Sequence, residues 1–466
     1  MRRVLGTIAL VGAVAGAMVW LFREPASGAP AIFLIVVDTL RPDRLSCYGA
    51  SRALTPNIDE LAARGVLFTN AHAAASWTVP SMGTMMTSIY PTQLGLVEEP
   101  TPHDTSFEWR TKRDQLGFTP PPQVRTLAEI LRDSGLRTAA FVNQPGLNSF
   151  DGFLQGFDDW FRPVDVHSVK RHDPNVALPE QEWPQYLMYA HRIDNLLIKA
   201  FGRWLESTAE EGIFVWLHLL TPHDPYLEFP RRADAPPPPE SLSDQYDEEV
   251  RVADRMVGDI MRIIEDRIGF ERAKIIFTSD HGEGFGEHGM DEHGHTLHRE
   301  VTHVPLIVVS SDLPAGRVVE TRVPSVDILP TFLEFAGVDP PLPSQLEGTS
   351  LLSAIDGKAV DRLIYSEGML YGSTERSLVD DDYKLMFDEQ EDRYALYDLS
   401  KDPGETMDLS ALQEDRTSRM TTALNELHSR LKAAYLAWQP EGGRDELSEE
   451  DRETMEKSLR ALGYGE

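Results

Sequence analysis

The chain has a single cysteine in 466 residues, Cys47, so no disulfide can form within it. Cys47 lies in Leu45-Ser46-Cys47-Tyr48-Gly49 with no ligand-like spacing beside it, and it reads as a small buried side chain. Positive charge is scarce too. Lysine and arginine total 44 against 75 acids, a net charge of −31, which argues against a nucleic-acid partner because phosphate binding needs a basic face. No internal repeat appears at any period. Only one uncharged run is long enough to cross a bilayer as a helix: Val4–Phe22, preceded by Arg2-Arg3 and closed by Arg23-Glu24. It predicts an uncleaved signal anchor rather than a signal peptide, since the small-residue site Ser27-Gly28-Ala29 runs into Pro30. Either way the basic N-terminal side stays in the cytoplasm and the rest of the chain is exported, membrane-anchored or secreted.

What the sequence does contain is a globular share of apolar residues, 41%, with 9% aromatics. Strand and helix patterns alternate as in parallel βαβ units. Unbroken apolar runs predict buried strands at Ile32–Val37, Thr138–Val142, Ile213–Leu219, Ile275–Thr278 and Val304–Val309, with a short strand at Val66–Thr69. Thr55-Pro56 opens a helix to Arg64, and Thr126 with Glu129 forms a capping box. Longer helices are expected at Ala190–Ser207 and Tyr246–Ile268. Beyond Pro340 the composition shifts. Tyr365–Glu367, Arg376–Val379, Tyr383–Phe387 and Ala395–Leu399 read as short antiparallel strands, and Glu414–Leu436 as a closing helix. The acidic tail from Glu441 carries one more helical stretch, Met455–Leu462. The expected division is residues 1–23 as anchor or signal, 24–30 as linker, 31–340 as catalytic domain, 341–440 as C-terminal subdomain and 441–466 as acidic tail.

Two of the buried strands end on metal-binding residue types: Asp38 after the first, Asp280-His281 after Ile275–Thr278. Ligands of open α/β sheets bind beyond the carboxyl ends of strands, and carboxylates meeting an imidazole there suit a divalent cation. Asn143 and His218 stand at two more strand ends, and His223 follows in Thr221-Pro222-His223-Asp224-Pro225. His288, His293, His295 and His298 trail Asp280-His281 in a Gly-rich loop. Thr78, in Trp77-Thr78-Val79-Pro80-Ser81, falls where a helix should start. That is either a plain N-cap or a place where free N–H groups cradle an anionic ester.

Taken together, IVVDTLRPDRLSCYG, TPNIDELAARGVLFTNAHA, SWTVPSMGTMMTSIYPTQLG, TSDHGEGFGEHG, HGHTLHREVTHVPLIV, VDILPTFLEFAG and ALYDLSKDPGET resemble, in order, the sulfatases of the alkaline-phosphatase superfamily. The resemblance implies a three-layer α/β/α core with a large mixed sheet, a small C-terminal antiparallel subdomain, and hydrolysis of a sulfate or phosphate ester. Carried over, it implies Asp38, Asp280 and His281 as metal ligands, and Thr78 as nucleophile bridging metal and substrate. It further implies His223 on the sulfuryl oxygens and His293 or His295 near the family's sulfate-binding lysine, with Asn143 and His218 as pocket residues. One divalent ion, calcium, manganese or zinc, is expected.

Departures from the family pattern shape the rest. Sulfatases oxidise the first residue of Cys/Ser-x-Pro-x-Arg to formylglycine, whereas this chain has Thr78-Val79-Pro80-Ser81-Met82. Oxidised threonine gives a ketone, never the aldehyde, which argues against formylglycine chemistry. Thr39 stands where many sulfatases place a second aspartate. Three readings stay open: a sulfuric-ester hydrolase using Thr78 itself, a phosphodiesterase or phosphoryl transferase at the same site, and a silent relative used for binding. Specificity is expected in Glu98–Phe118, Val164–Pro184 and Leu227–Asp244, where no motif names the substrate.

Overall fold

Unbroken apolar strands build the centre of the molecule. The computed structural model describes residues 30–52, 55–97, 120–121, 123–148, 151–161, 190–208, 212–226, 239–340, 346–358, 362–368, 370 and 374–438. Val4–Phe22, the acidic tail with Met455–Leu462, and most of the three expected specificity loops lie outside these residues. Among the described residues no helix is long and apolar enough to cross a membrane.

In chain order the strands of the large sheet are β1 (Ala31–Val37), β2 (Val66–His72), β3 (Arg137–Val142), β4 (Asp159–Phe161), β5 (Ile213–Leu219) and β6 (Ala273–Thr278). A two-strand ribbon, β7 (Gly284–Phe285) and β8 (Asp291–Glu292), intervenes before β9 (His303–Val309), β10 (Arg317–Val319) and β11 (Val323–Pro324). The sheet order is β10-β2-β9-β6-β1-β5-β3-β4, with β11 also on β2. β1 shows why its sequence is continuous: Ile32, Leu34 and Val36 enter one core, Ala31, Phe33, Ile35 and Val37 the other, and all are fully buried. A strand covered on both faces has no polar side to alternate toward. Met82, Met85 and Met86 of the helix Thr78–Thr87 and Phe332 of the helix Ile328–Ala336 pack one face. The helices Pro56–Arg64, Ala190–Thr208 and Leu242–Arg267 cover the other through Leu61, Phe201 and Val257. This is the three-layer α/β/α arrangement with a mixed sheet.

The sheet is mixed because β9 runs antiparallel to both its neighbours, β6 and β2. The chain therefore leaves β6 and returns into β9 at the same end of the sheet, the end where β1 also stops. Helix boundaries moved modestly. The helix predicted from Tyr246 begins at Leu242, because the Ser241 hydroxyl accepts the Asp244 N–H and caps a polar first turn. The Thr126–Glu129 capping box is present with both of its bonds.

The C-terminal strands β12 (Ile364–Glu367), β13 (Glu375–Asp380), β14 (Tyr383–Asp388) and β15 (Arg393–Asp398) form one antiparallel sheet in sequence order. Leu378, Leu385 and Leu396 pack under Met420, Leu424 and Leu431 of the closing helix Glu414–Trp438. Val379, Met386, Ala395 and Tyr397 point the other way and enclose Leu297, which belongs to the segment between β6 and β9. Glu375 accepts the Leu297 N–H at 2.9 Å, and burial pushes its carboxyl up to about 7. Its folded pKa is thus above the usual 4.5, so the stability it contributes is complete at low pH and lost as pH rises toward about 7. Glu375→Gln keeps an acceptor and removes the charge. Its urea midpoint should exceed that of the parent at about pH 8 and converge with it near pH 5. An equal gap at both pH values would count against a proton linkage here.

Candidate active site

Asp38 sits one residue past β1, where its N–H still bonds Leu219 O, and Asp280 two residues past β6; both are fully buried. The Thr39 and His281 N–H groups both donate to Asp280 Oδ1, at 3.3 and 3.0 Å. Thr39 carries a φ of +56°, a conformation that β-branched residues avoid at a cost of roughly 1–3 kcal/mol. It is held there by its N–H on Asp280 and by the Tyr246 hydroxyl donating to its carbonyl at 2.7 Å. Gly282 follows His281 because a Cβ there would stand 2.0 Å from the Glu300 carbonyl.

Asp38, Asp280 and His281 each offer one ligand atom within 4.8 Å of the others. His281 Nε2 is 3.7 Å from Asp38 Oδ1 and 3.5 Å from Asp280 Oδ2, and neither of those oxygens has a hydrogen-bond partner. Burial and the Asp38 charge push the Asp280 carboxyl up. Burial acts the same way on Asp38, but the hydrogen bond from His218 and the neighbouring imidazole charges bring it well below the usual range. Two orphaned carboxylate oxygens facing an imidazole nitrogen fit a divalent cation, which would turn their mutual repulsion into attraction.

Thr78 is the first residue of its helix rather than its cap; Trp77 occupies the cap position and contributes no side-chain bond. The hydroxyl is therefore not used by the helix. The His281 Nδ1–H donates to Gly282 O at 2.9 Å, so Nε2 carries the lone pair and accepts from Thr78 Oγ1 at 3.2 Å. Ser81 Oγ donates to Asp280 O at 2.6 Å and locks the first turn of the helix against the end of β6.

Three more buried histidines face this group. His223 donates through Nδ1 to Asp224 O at 2.7 Å, and its Nε2 has no partner. Burial alone would lower its pKa, but the Asp38 and Glu283 charges raise it. The His293 ring lies 4.5 Å from that of His281 and 5.0 Å from that of His223, with Nδ1 3.0 Å from Glu283 Oε1. Burial lowers its pKa well below the ordinary value. His218 reaches Asp38 Oδ2 through Nε2 at 3.4 Å.

The other expected residues are placed differently. The Asn143 amide donates to Asp194 Oδ1 at 2.6 Å, and Asp194 also takes the Leu220 and Thr221 N–H groups, so Asn143 braces the segment leading to His223. His295 is half-buried, and burial lowers its pKa. The histidine-rich loop divides: His288 and His298 stack at 3.6 Å against Glu300 and Glu405, toward the C-terminal sheet and the buried Lys384–Glu405 pair. Two residues that sequence reasoning missed complete the site, Glu283 and Gln144. Gln144 donates from Nε2 to Asp38 Oδ2 at 3.0 Å and to Thr78 Oγ1 at 3.2 Å.

Residues 30–338 match the family described as Sulfatase, and residues 286–435 match the N-sulphoglucosamine sulphohydrolase C-terminal family. The chain belongs to the sulfatase family. This sulfatase is 24% identical to the uncharacterized sulfatase YidJ of Escherichia coli K12, over 88% of its own length and 89% of YidJ. It is 25% identical to human N-acetylgalactosamine-6-sulfatase over 73% and 69% of the two chains. The crystal structure of a phosphonate monoester hydrolase from Agrobacterium radiobacter shares its fold, with a TM-score of 0.66 and 21% identity over 90% of this chain and all of the other. The sulfatase is thus an ester hydrolase from a family whose enzymes use a divalent metal, and its buried Asp38–Asp280–His281 group has the donors for one.

Proposed function

We propose that this sulfatase hydrolyses sulfuric esters with the unmodified Thr78 hydroxyl as nucleophile and one divalent cation on Asp38, Asp280 and His281. The observation that carries this reading is the Thr78 hydroxyl, unused by its helix and held between His281 Nε2 and Gln144 Nε2 beside two unpartnered carboxylate oxygens. A cation bound there would polarise the ester and make the threonine hydroxyl more acidic. An imidazole among the donors favours manganese or zinc over calcium.

Thr78 Oγ1 gives its proton to solvent and forms a bond to the ester sulfur while the bond from sulfur to the leaving oxygen breaks. That oxygen takes a proton from His223 Nε2, whose neighbouring acidic charges favour the protonated ring. Water then attacks sulfur and passes a proton to His223, the sulfur–Oγ1 bond breaks, Oγ1 takes back a proton from solvent, and hydrogen sulfate leaves. His293, steadied by Glu283, and His218, steadied by Asp38, border the sulfuryl group. Asn143 braces the segment leading to His223 through Asp194, and His295 lies within electrostatic reach of Glu283 and His293. In this reading residues 31–340 carry the chemistry and 341–440 hold the loop bearing His293. Val4–Phe22 after Arg2-Arg3 supports an exported enzyme tethered by an N-terminal helix.

A second reading, turnover of a phosphodiester or phosphonate ester or transfer of a phosphoryl group to an alcohol, is favoured by the hydroxyl nucleophile and by the likeness to a phosphonate monoester hydrolase. The two separate in one assay: 4-nitrophenyl sulfate against 4-nitrophenyl phenylphosphonate, with added manganese, zinc or calcium. Preferential sulfate turnover, best with manganese or zinc, is expected; preferential phosphonate turnover would move the enzyme to the second reading.

A further inference from the structure

Gln144 lies one residue beyond Asn143, whose N–H still bonds His218 O past the end of β3. Its carboxamide is buried and its orientation is dictated by its surroundings: the Gly146 N–H donates to Oε1 at 2.6 Å, so the NH₂ must point the opposite way. A Cβ at position 146 would stand 3.1 Å from that Oε1, so glycine there leaves the amide its room. The two amide hydrogens are then fully committed, one to Asp38 Oδ2 at 3.0 Å and one to Thr78 Oγ1 at 3.2 Å. An apolar packing role would not need a fixed donor aimed at the Thr78 hydroxyl.

We infer that Gln144 is a catalytic residue whose N–H stabilises negative charge on Thr78 Oγ1. The inference rests on Thr78 being the nucleophile. Charge builds on Oγ1 twice: before it bonds to sulfur, and again when that bond breaks during hydrolysis of the threonine ester. One neutral, preorganised donor serves both events, because it needs neither to move nor to change protonation between them. Neutrality also matters beside Asp38, since a cationic donor would compete with the metal for that carboxylate, and an anionic one would repel it.

The test uses full-length enzyme and the two nitrophenyl esters, with Thr78→Ala, Gln144→Met and Gln144→Glu beside the parent. Gln144→Met keeps the length and removes the donor, so kcat should fall by about 10²-fold, in the range found for losing one such donor. KM should stay within about threefold, and bound metal and melting temperature should hold, because His218 still reaches Asp38 Oδ2 and the charge on Oγ1 builds only during the reaction. Gln144→Glu should be worse than Gln144→Met. Acid-quenched peptide mass analysis should show the threonine ester both forming and decaying more slowly. Parent-like kcat in Gln144→Met, or a loss that merely tracks lost metal or lost fold, overturns the inference while Thr78→Ala still tests the nucleophile. Turnover that survives Thr78→Ala, or a parent inactive on both esters with all three cations, removes the nucleophile and this donor role together.

Discussion

Thr78→Ala will abolish ester turnover, lowering kcat by at least about 10³-fold, while the protein stays folded. The fold should tolerate the change because Trp77, not Thr78, holds the cap position and no side-chain cap is lost. Alanine is also a better helix former than threonine, which offsets part of the two lost hydrogen bonds, each worth about 1 kcal/mol. A near-parent melting temperature beside absent turnover would assign the loss to the hydroxyl. Thr78→Ser keeps that hydroxyl but lets it rotate more freely, so it should retain part of the activity. Equal turnover in parent and Thr78→Ala, measured under the same metal conditions, would place the nucleophile elsewhere.

Asp280→Asn should act on metal and stability in opposite directions. The amide oxygen can still accept the His281 and Thr39 N–H groups, but an NH₂ would replace the unpartnered Oδ2 and aim a donor at the cation seat. Bound metal measured on the purified protein should drop from near one per chain to near none, and turnover by at least about 10³-fold. Without metal the order of stability should reverse. Burial and the Asp38 charge raise the Asp280 carboxyl, so ionising it destabilises the metal-free fold as pH rises past the usual carboxylate range. Chelated Asp280→Asn should therefore melt above the chelated parent near neutral pH. If chelation leaves the order of the two unchanged, the carboxylate pair is not a cation seat.

Much of this was legible in the sequence, and what was not has physical causes. β1 and β5 were readable almost to the residue because strands covered on both faces need unbroken apolar runs. Asp38, Asp280 and His281 stood out because they follow the apolar runs of β1 and β6. The direction of β9 was not readable, since a run buried on both faces looks the same in parallel and antiparallel company. Edge strands such as β4 and β10 are too short to show a period. The histidine-rich loop looked like one cluster, yet Gly286, Gly289 and Gly294 take positive φ values and turn the chain, so His293 faces the site while His288 and His298 face away. Gln144 escaped notice because its neighbour Asn143 is the amide at the strand end, and only the fold turns Asn143 to Asp194 and Gln144 to the site. Its role comes from Asp38 and Thr78, 106 and 66 residues away in sequence.

The segment bearing His293 has no independent footing. Gly294 donates to Ser76 O at 3.0 Å and accepts from Leu370 N at 2.9 Å, so it is pinned between the approach to Thr78 and the C-terminal strands. Three residues later Leu297 is gripped by Glu375 through its N–H and by the buried Lys384 through its carbonyl. Evolution consequently cannot exchange the C-terminal sheet as a detachable accessory. Whatever reshapes β13 or β14 for another purpose also re-aims an imidazole packed against His281, so the two halves of the chain must drift together or lose their common task.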